Sequence, residues 1–373
     1  MKVLHIIDSL DVGGAETLLT GLCALWAGSA IETEVYALRG GGVLEARLHQ
    51  AGVTVTSAGE GSVYSPIHIF RLARFLRLHQ FDIVHVHLYP AQIWACLAVR
   101  LSGVRTTIIT TEHSTSNRRR KGAFRGLDRW MYRQFAAIAA ISDATQNALA
   151  AHIGEDAPAI YVVPNGVDGK RFEISGKRRI RSENDSLVVL CIGSLTHVKD
   201  QATIIRAIAK VGHVRLRLAG DGPLLHELKA LASQLGVASR VEFLGVRLDI
   251  PQLVEDADLY VQSSTWEGFC LAAVEAMCGQ LPCIVSRNSG LQEVVGQAGV
   301  YFEPGNDAEL AASILALSKD PKEREAMAER GAVQATKFTL QACCDAYERL
   351  YQNTFRLSSG ASVAGIEAPP AAH

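Results

Sequence analysis

The chain has 373 residues, 48% of them hydrophobic and 20% charged. That balance is too apolar for a disordered protein, and at about 150 residues per domain it suggests two domains. Thirty-seven Lys and Arg against 38 Asp and Glu leave a net charge of −1, which gives no support to a nucleic-acid binder. Eight scattered cysteines with no CxxC pair exclude a dense disulfide scaffold and speak against a zinc ribbon; core thiols in a reducing compartment are the plain reading.

The opening MKVLHIIDSL carries one Lys and a short apolar run, too short for a secretion signal, so residues 2–8 are expected to form a buried first strand. No uninterrupted apolar stretch of about 18 residues occurs. The richest one, Phe135–Leu149, is broken by Ser142, Asp143, Gln146 and Asn147. The expected location is the cytoplasm, at the inner face of the membrane if it meets one.

Short apolar runs then alternate with amphipathic ones. A helix is expected from Ala15 to about Trp26, a strand at Glu34–Leu38, and a helix over Gly42–Ala51. A strand at Val53–Ser57, a helix at Ile67–Leu78 and a strand at Ile83–His87 follow, then a helix at Ala91–Leu101 and a strand at Thr106–Thr111. Residues 164–186, rich in Gly, Asn, Lys and Arg, read as a linker, after which the grammar restarts. Strands are expected at Leu187–Ile192, Val214–Ala219, Val241–Leu244, Leu259–Gln262 and Pro282–Val285. Helices fall between them at Gln201–Lys210, Leu224–Leu235 and Val274–Cys278. Such alternation means parallel sheets covered on both faces. The fold class is therefore α/β, two Rossmann-like doubly wound domains facing across a cleft, with ligands at the carboxyl ends of the strands. The expected division is 1–168, a linker 169–186, a second domain 187–340, a helix 341–357 returning to the first domain, and a disordered tail 358–373.

Four motifs sit at strand ends. Gly13-Gly14-Ala15-Glu16 opens the first helix, where glycines let a ligand approach and the helix start offers N–H groups to an anion; a tight turn is the plain alternative. His85 and His87 share one face of a strand. They lack an obvious third metal ligand in sequence, so a pair lining the ligand end of the strand is preferred, with His113 ending the next strand. Gly193–Lys199 follows the first strand of the second half, and Lys199 has the point charge that a diphosphate needs, unless it is an ordinary surface lysine. Lastly, Glu267 and Glu275 are spaced E-x7-E, the first in a loop and the second two turns into a helix. A buried carboxylate needs a donor partner, and ribose hydroxyls supply one. Gly268, Phe269 and Cys270 can present N–H groups at that helix start.

The chain resembles glycosyltransferase family 4, retaining enzymes of the GT-B fold, over roughly residues 1–350. The resemblance rests on GGAE, HVH, TEHS, VVPNGVD (Val162–Asp168), GSLTHVK, AGDGP (Ala219–Pro223) and EGFCLAAVE followed by SRNSGLQEVV (Ser286–Val295). It implies a retaining transferase in polysaccharide biosynthesis that moves a sugar from a nucleotide-diphosphate sugar, UDP-sugar first and GDP-sugar next, to a glycan or lipid-linked acceptor. The catalytic candidates are Glu267, His113 and Lys199. Donor binding falls to Gly14, Lys199, Val246, Glu267, Gly268, Phe269, Cys270, Leu271 and Glu275. In that scheme Glu275 holds the ribose, Glu267 the sugar hydroxyls, Lys199 the diphosphate, and the backbone near Val246 the base. The acceptor side comprises Gly13, Gly14, His87 and His113. No metal and no cofactor is implied. Asp256-Ala257-Asp258 spells DxD but sits at a helix end before a strand. Ser194 stands where the family often has an arginine, with Arg247 as a candidate to supply the charge. A sugar-nucleotide epimerase and a non-catalytic nucleotide-sugar binder are the alternatives.

Residues 100–133 carry nine Lys and Arg against Glu112 and Asp128, a net +7. Arg125, Arg129 and Arg133 recur every four residues beside Phe124, Leu127 and Trp130, so 118–133 is a candidate contact with anionic lipid; a solvated basic face is the plain alternative.

Overall fold

A computed structural model describes residues 1–115, 124–154, 158–174 and 186–358. The chain divides into two compact units, one formed by Met1–Pro164 together with the segment from Gln341, the other by Asn165–Leu340. The boundary falls inside the VVPNGVD motif.

The first unit runs β1 (Lys2–Ile7), α1 (Gly14–Trp26), β2 (Glu32–Ala37), α2 (Glu45–Gln50), β3 (Thr54–Ser57), α3 (Ile67–Leu78), β4 (Ile83–His87), α4 (Ala91–Ser102), β5 (Thr107–Glu112), α5 (Arg125–Tyr132), β6 (Ala137–Ala140), α6 (Asp143–Ile153) and β7 (Ile160–Val162). Its seven parallel strands lie in the order β3-β2-β1-β4-β5-β6-β7. Helices bury both faces, so β1, β4 and β5 are almost wholly apolar or buried. Leu4, Ile6, Val84 and Val86 join one core layer with Leu72, Leu76 and Ala95. Ile7, Leu19, Cys23 and Val35 belong to the opposite layer. The C-terminal helix, Leu340–Ser358, also serves this unit: Glu348 accepts a 2.9 Å bond from Trp26 Nε1 on α1.

The helix expected over 42–51 shrinks to α2, because Gly40-Gly41-Gly42 favours a turn over a helix. The apolar stretch Phe135–Leu149 resolves into β6 and the start of α6, divided at Ser142, whose hydroxyl accepts from the Thr145 N–H and caps the helix.

The second unit runs β8 (Leu187–Ile192), α7 (Gln201–Lys210), β9 (Val214–Ala219), α8 (Leu225–Gln234), β10 (Val241–Gly245), α9 (Ile250–Asp256), β11 (Leu259–Gln262), α10 (Leu271–Cys278), β12 (Cys283–Ser286), α11 (Ser289–Val295), β13 (Val300–Phe302), α12 (Asp307–Lys319) and α13 (Pro321–Ala335). Its six parallel strands follow β10-β9-β8-β11-β12-β13. Part of the expected linker belongs here: Val167 bridges to Thr339, and Gly169–Phe172 forms a short 3-10 turn. Residues 175–185 of that linker and 359–373 of the expected tail lie outside the described residues. Asp258 of the DxD triplet is a backbone partner, its carboxylate accepting from the Val188 N–H at 2.7 Å.

Both sheets reverse strand order beside their first strand, between β1 and β4 and between β8 and β11. In open α/β sheets that reversal leaves a crevice at the carboxyl ends, where ligands bind. Among the described residues no helix is long and apolar enough to cross a membrane.

Candidate active site

In the second unit, the loops after β8 and β11 meet at the reversal point. Ser263 Oγ donates to the carbonyls of Lys199 (2.9 Å) and Asp200 (2.7 Å), and the Thr265 N–H donates to Val198 at 2.8 Å. These ties set Lys199 against Glu267, with Lys199 Nζ 2.5 Å from Glu267 Oε1. The same oxygen accepts from Ser264 Oγ at 2.7 Å and from Gln262 Nε2 at 3.4 Å. Tyr260 donates to Gln262 at 2.6 Å, completing a chain from the core to the carboxylate. Burial is the largest single influence on the Lys199 pKa and works to lower it, but the Glu267 charge and hydrogen bond, together with the neighbouring Cys270 and Cys191, outweigh it and hold the pKa above its usual value. The lysine is therefore a fixed positive charge at the end of the sheet.

Gln262, Ser264 and the SRNSG segment, which lie outside the site residues that the sequence suggests, set this geometry. Ser286 Oγ and Asn288 Nδ2 both donate to the Ser264 carbonyl, and Asn288 also caps α11. Gly290 lies against the Glu267 backbone so closely that a Cβ there would meet the Glu267 carbonyl at 2.4 Å. The signal was present in SRNSG, but only the fold shows which loop it supports.

Gly268 to Leu271 lead into α10, whose N-cap, Cys270, makes no side-chain cap bond. The first N–H groups of such a helix have no intrahelical partner. The side chains of Phe269 and Cys270 are buried, Phe269 edge-on to Phe338 at 5.3 Å, so backbone is what they can offer a ligand. Glu275 is half-buried on α10. Burial pushes its carboxyl up to about 7, against a smaller opposing pull from Arg171. Val246 is exposed after β10. Arg247, the candidate to supply the charge absent at Ser194, has its guanidinium paired with the exposed Asp249, with Nε 2.7 Å from Oδ1. Ser194 uses its carbonyl to accept from Gln201 Nε2 at 3.0 Å.

In the first unit, Gly13 is the N-cap of α1 and Gly14 its first residue. A Cβ on Gly13 would meet Glu16 Oε2 at 2.2 Å, so the glycine makes room for that carboxylate to fold back over the helix start. Burial, helped by Asp8 and Asp11, pushes the Glu16 carboxyl up to about 7. His5 pairs with His85 in register, and His87 with Thr111. Because side chains alternate along a strand, His5, His85, His87, Thr111 and His113 share one face. His85 is bonded to the Tyr351 hydroxyl at 2.8 Å and to Thr111 Oγ1 at 2.7 Å. His87 is buried, its two nitrogens engaged by His5 (3.1 Å) and His113 (3.2 Å). It reaches the strand end through His113 rather than lining it directly. His113 is half-buried.

His5 supplies the third imidazole that the sequence did not suggest. Nitrogens of His5, His85 and His87 all lie within 4.8 Å of one another. His5 and His87 bond to each other and His85 bonds to the Tyr351 and Thr111 hydroxyls, so the three imidazoles belong to one hydrogen-bonded cluster. Of the basic stretch, Arg118, Arg119, Arg120 and Lys121 lie outside the described residues. On α5, Arg125 donates to the His152 carbonyl at 3.4 Å and Leu127 is exposed, as is Phe124 at the helix's N-cap.

Residues 174–334 match the family model described as Glycosyl transferases group 1, and residues 12–171 match that of Glycosyltransferase Family 4. A relative from Bacillus anthracis, N-acetyl-alpha-D-glucosaminyl L-malate synthase, is 27% identical over 83% of this chain and 84% of its own length. UDP-Gal:alpha-D-GlcNAc-diphosphoundecaprenol alpha-1,3-galactosyltransferase of Escherichia coli is 27% identical over 60% of this chain and 62% of its own. Among solved structures, Anabaena Alr3699/HepE in complex with UDP and glucose superposes with a TM-score of 0.84, at 23% identity, over 95% of this chain and 100% of that one. The two family models run through both units in order, and the fold is shared along nearly the whole chain: the protein belongs to glycosyltransferase family 4 and is a glycosyltransferase of the GT-B fold.

Proposed function

We propose that the enzyme transfers a sugar, with retention of its anomeric configuration, from a UDP-sugar to a hydroxyl of a glycan or lipid-linked acceptor in polysaccharide synthesis. The observation that carries this reading is the Lys199–Glu267 pair beside the start of α10. Lys199 and the helix start neutralise a diphosphate. Glu267 turns Oε1 to its three donors and keeps Oε2 for sugar hydroxyls. Glu275 accepts from the ribose, and the backbone near Val246 meets the base. Gly13, Gly14 and His113 serve the sugar and the acceptor. The bond from the sugar's anomeric carbon to the diphosphate oxygen breaks as the bond to the acceptor oxygen forms. The acceptor's proton passes to the departing phosphate, so the protein contributes charge stabilisation and positioning. The UDP bound by the Anabaena protein, and the donor and lipid diphosphate named for the E. coli relative, support this choice of substrates.

The test is a thermal-shift titration with UDP, GDP and ADP on the wild type and Glu275→Ala. Ligand at about 100 times its dissociation constant stabilises by about 2.7 kcal/mol. Stabilisation of the wild type by UDP alone, lost in the variant, supports the reading; a shift with GDP alone overturns the choice of base. The anomeric configuration of the product, read by NMR, decides retention. Isomerised nucleotide sugar formed without acceptor would establish an epimerase instead.

Peripheral membrane contact through 118–133 belongs to the same proposal, supported by exposed Phe124 and Leu127 beside the basic residues. Co-sedimentation with anionic liposomes, lost in Phe124→Ser/Leu127→Ser and in high salt, is the expected outcome; equal recovery of both proteins rejects it.

A further inference from the structure

The sheet face of the first unit carries three imidazoles in series. His5 Nδ1 lies 3.1 Å from His87 Nε2, and His87 Nδ1 lies 3.2 Å from His113 Nε2. His85 stands beside the row with both nitrogens committed to hydroxyls. Burial pushes His5 down to about 3 and His113 to about 4, and His87 well below the usual histidine value. The rings are therefore neutral near neutral pH.

A neutral imidazole has one N–H and one bare nitrogen. His87 is bonded to a nitrogen on each side, so it must donate to one neighbour and accept from the other. The tautomers of all three rings are then coupled, and fixing one fixes the rest. Two directions are possible, and they differ at the buried end. His5 Nε2 is buried without a hydrogen-bond partner. If the bonds ran from His113 toward His5, that atom would be an orphaned N–H; if they ran toward His113, it would be a bare lone pair. Orphaned buried N–H groups are the rarer case, so His5 donates to His87 and His87 donates to His113 Nε2.

We propose that His87, backed by His5, is a positioning residue that holds His113 as its Nδ1–H tautomer, so that His113 presents an uncharged N–H donor to a hydroxyl oxygen of the sugar substrates. The inference rests on the reading of His113 as a substrate-facing residue. It adds which nitrogen carries the proton and which residues decide that.

The first measurement is made on the wild-type protein labelled with 15N-histidine, with His113→Ala to assign the signals. At a pH of about 7.5, where the rings are neutral, His113 is expected to show a protonated Nδ1 and a bare Nε2. A protonated Nε2 overturns the proposal, whatever any variant does. Two variants of His87 then separate its bonds. In His87→Asn the amide nitrogen replaces Nδ1 and still donates to His113. In His87→Gln the amide reaches the Nε2 position, keeps His5 and withdraws from His113. His87→Asn is expected to keep the single tautomer and His87→Gln to show both. For UDP release from UDP-glucose or UDP-N-acetylglucosamine, whichever the wild type turns over faster, kcat of His87→Gln is expected about 10-fold or more below that of His87→Asn, with donor KM within about twofold. An unchanged tautomer in His87→Gln overturns the coupling. A changed tautomer with equal kcat in the two variants overturns the positioning role. Unchanged kcat in His113→Ala sinks the substrate-facing reading of His113 and leaves the coupling to the spectra.

Discussion

Lys199 and Glu267 are 68 residues apart in the chain and 2.5 Å apart in space, joined across the reversal point of the second sheet. Each is costly without the other, because both are largely removed from water. Lys199→Met should destabilise the second unit by about 3 kcal/mol by leaving a buried carboxylate unmatched. The double variant Lys199→Met/Glu267→Gln should recover part of that loss. Urea unfolding of the four proteins in the cycle checks it; additive losses would mean that the pair is not coupled.

The close approach of Gly290 to the Glu267 carbonyl gives a second expectation. Gly290→Ala should displace the Glu267 loop, lowering both thermal stability and turnover. Gly126→Ala is the matched control, since a Cβ there meets nothing within 4 Å and α5 gains a better helix former. It should be stabilising by about 0.5–1 kcal/mol. Equal effects of the two substitutions would remove the steric argument.

Glu275 makes stability depend on pH in a stated direction. The unfolded carboxyl loses its proton near 4.5, the folded one near 7. Between those values the folded state holds more protons, so this group's contribution to stability falls as pH rises through the window. Glu275→Gln removes that loss. The melting temperature of the variant should therefore gain on the wild type from about pH 4.5 to 7 and run parallel above it. A constant difference across the window would show that the carboxyl titrates normally.

Tyr351→Phe should cost about 1–3 kcal/mol, because it strips a buried His85 nitrogen of its partner. Tyr347→Phe should cost less, since Thr111 still bonds the other His85 nitrogen when the Tyr347 hydroxyl is gone. Thermal unfolding of both variants orders them; the reverse order would place the main support at Thr111.

The alternation of strands and helices, the loop after β8 and the E-x7-E spacing were legible because each depends on local pattern. Ala137–Ala140 was not, since a four-residue run of Ala and Ile merges with the apolar helix after it and only a capping serine divides them. The role of His5 was not legible, because its partners come from register between β1 and β4, which a single strand does not announce. The support under Glu267 is equally non-local: Ser286, Asn288 and Gly290 reach it from the loop after another strand. Side-chain chemistry can be read along the chain, whereas the partner across the sheet must be folded into place.

The first unit is written in two pieces, with the whole of Asn165–Leu340 inserted before its closing helix. On the ribosome the second unit is continuous and can complete its sheet as it emerges. The first must wait for Trp26, His85 and Thr111 to receive Glu348, Tyr351 and Tyr347. At about 5–20 residues per second, synthesis of the intervening segment takes on the order of 10–35 s. During that interval the polar face of the nascent sheet is uncovered, so order of synthesis and order of folding run in opposite directions, and the half made first is the one completed last.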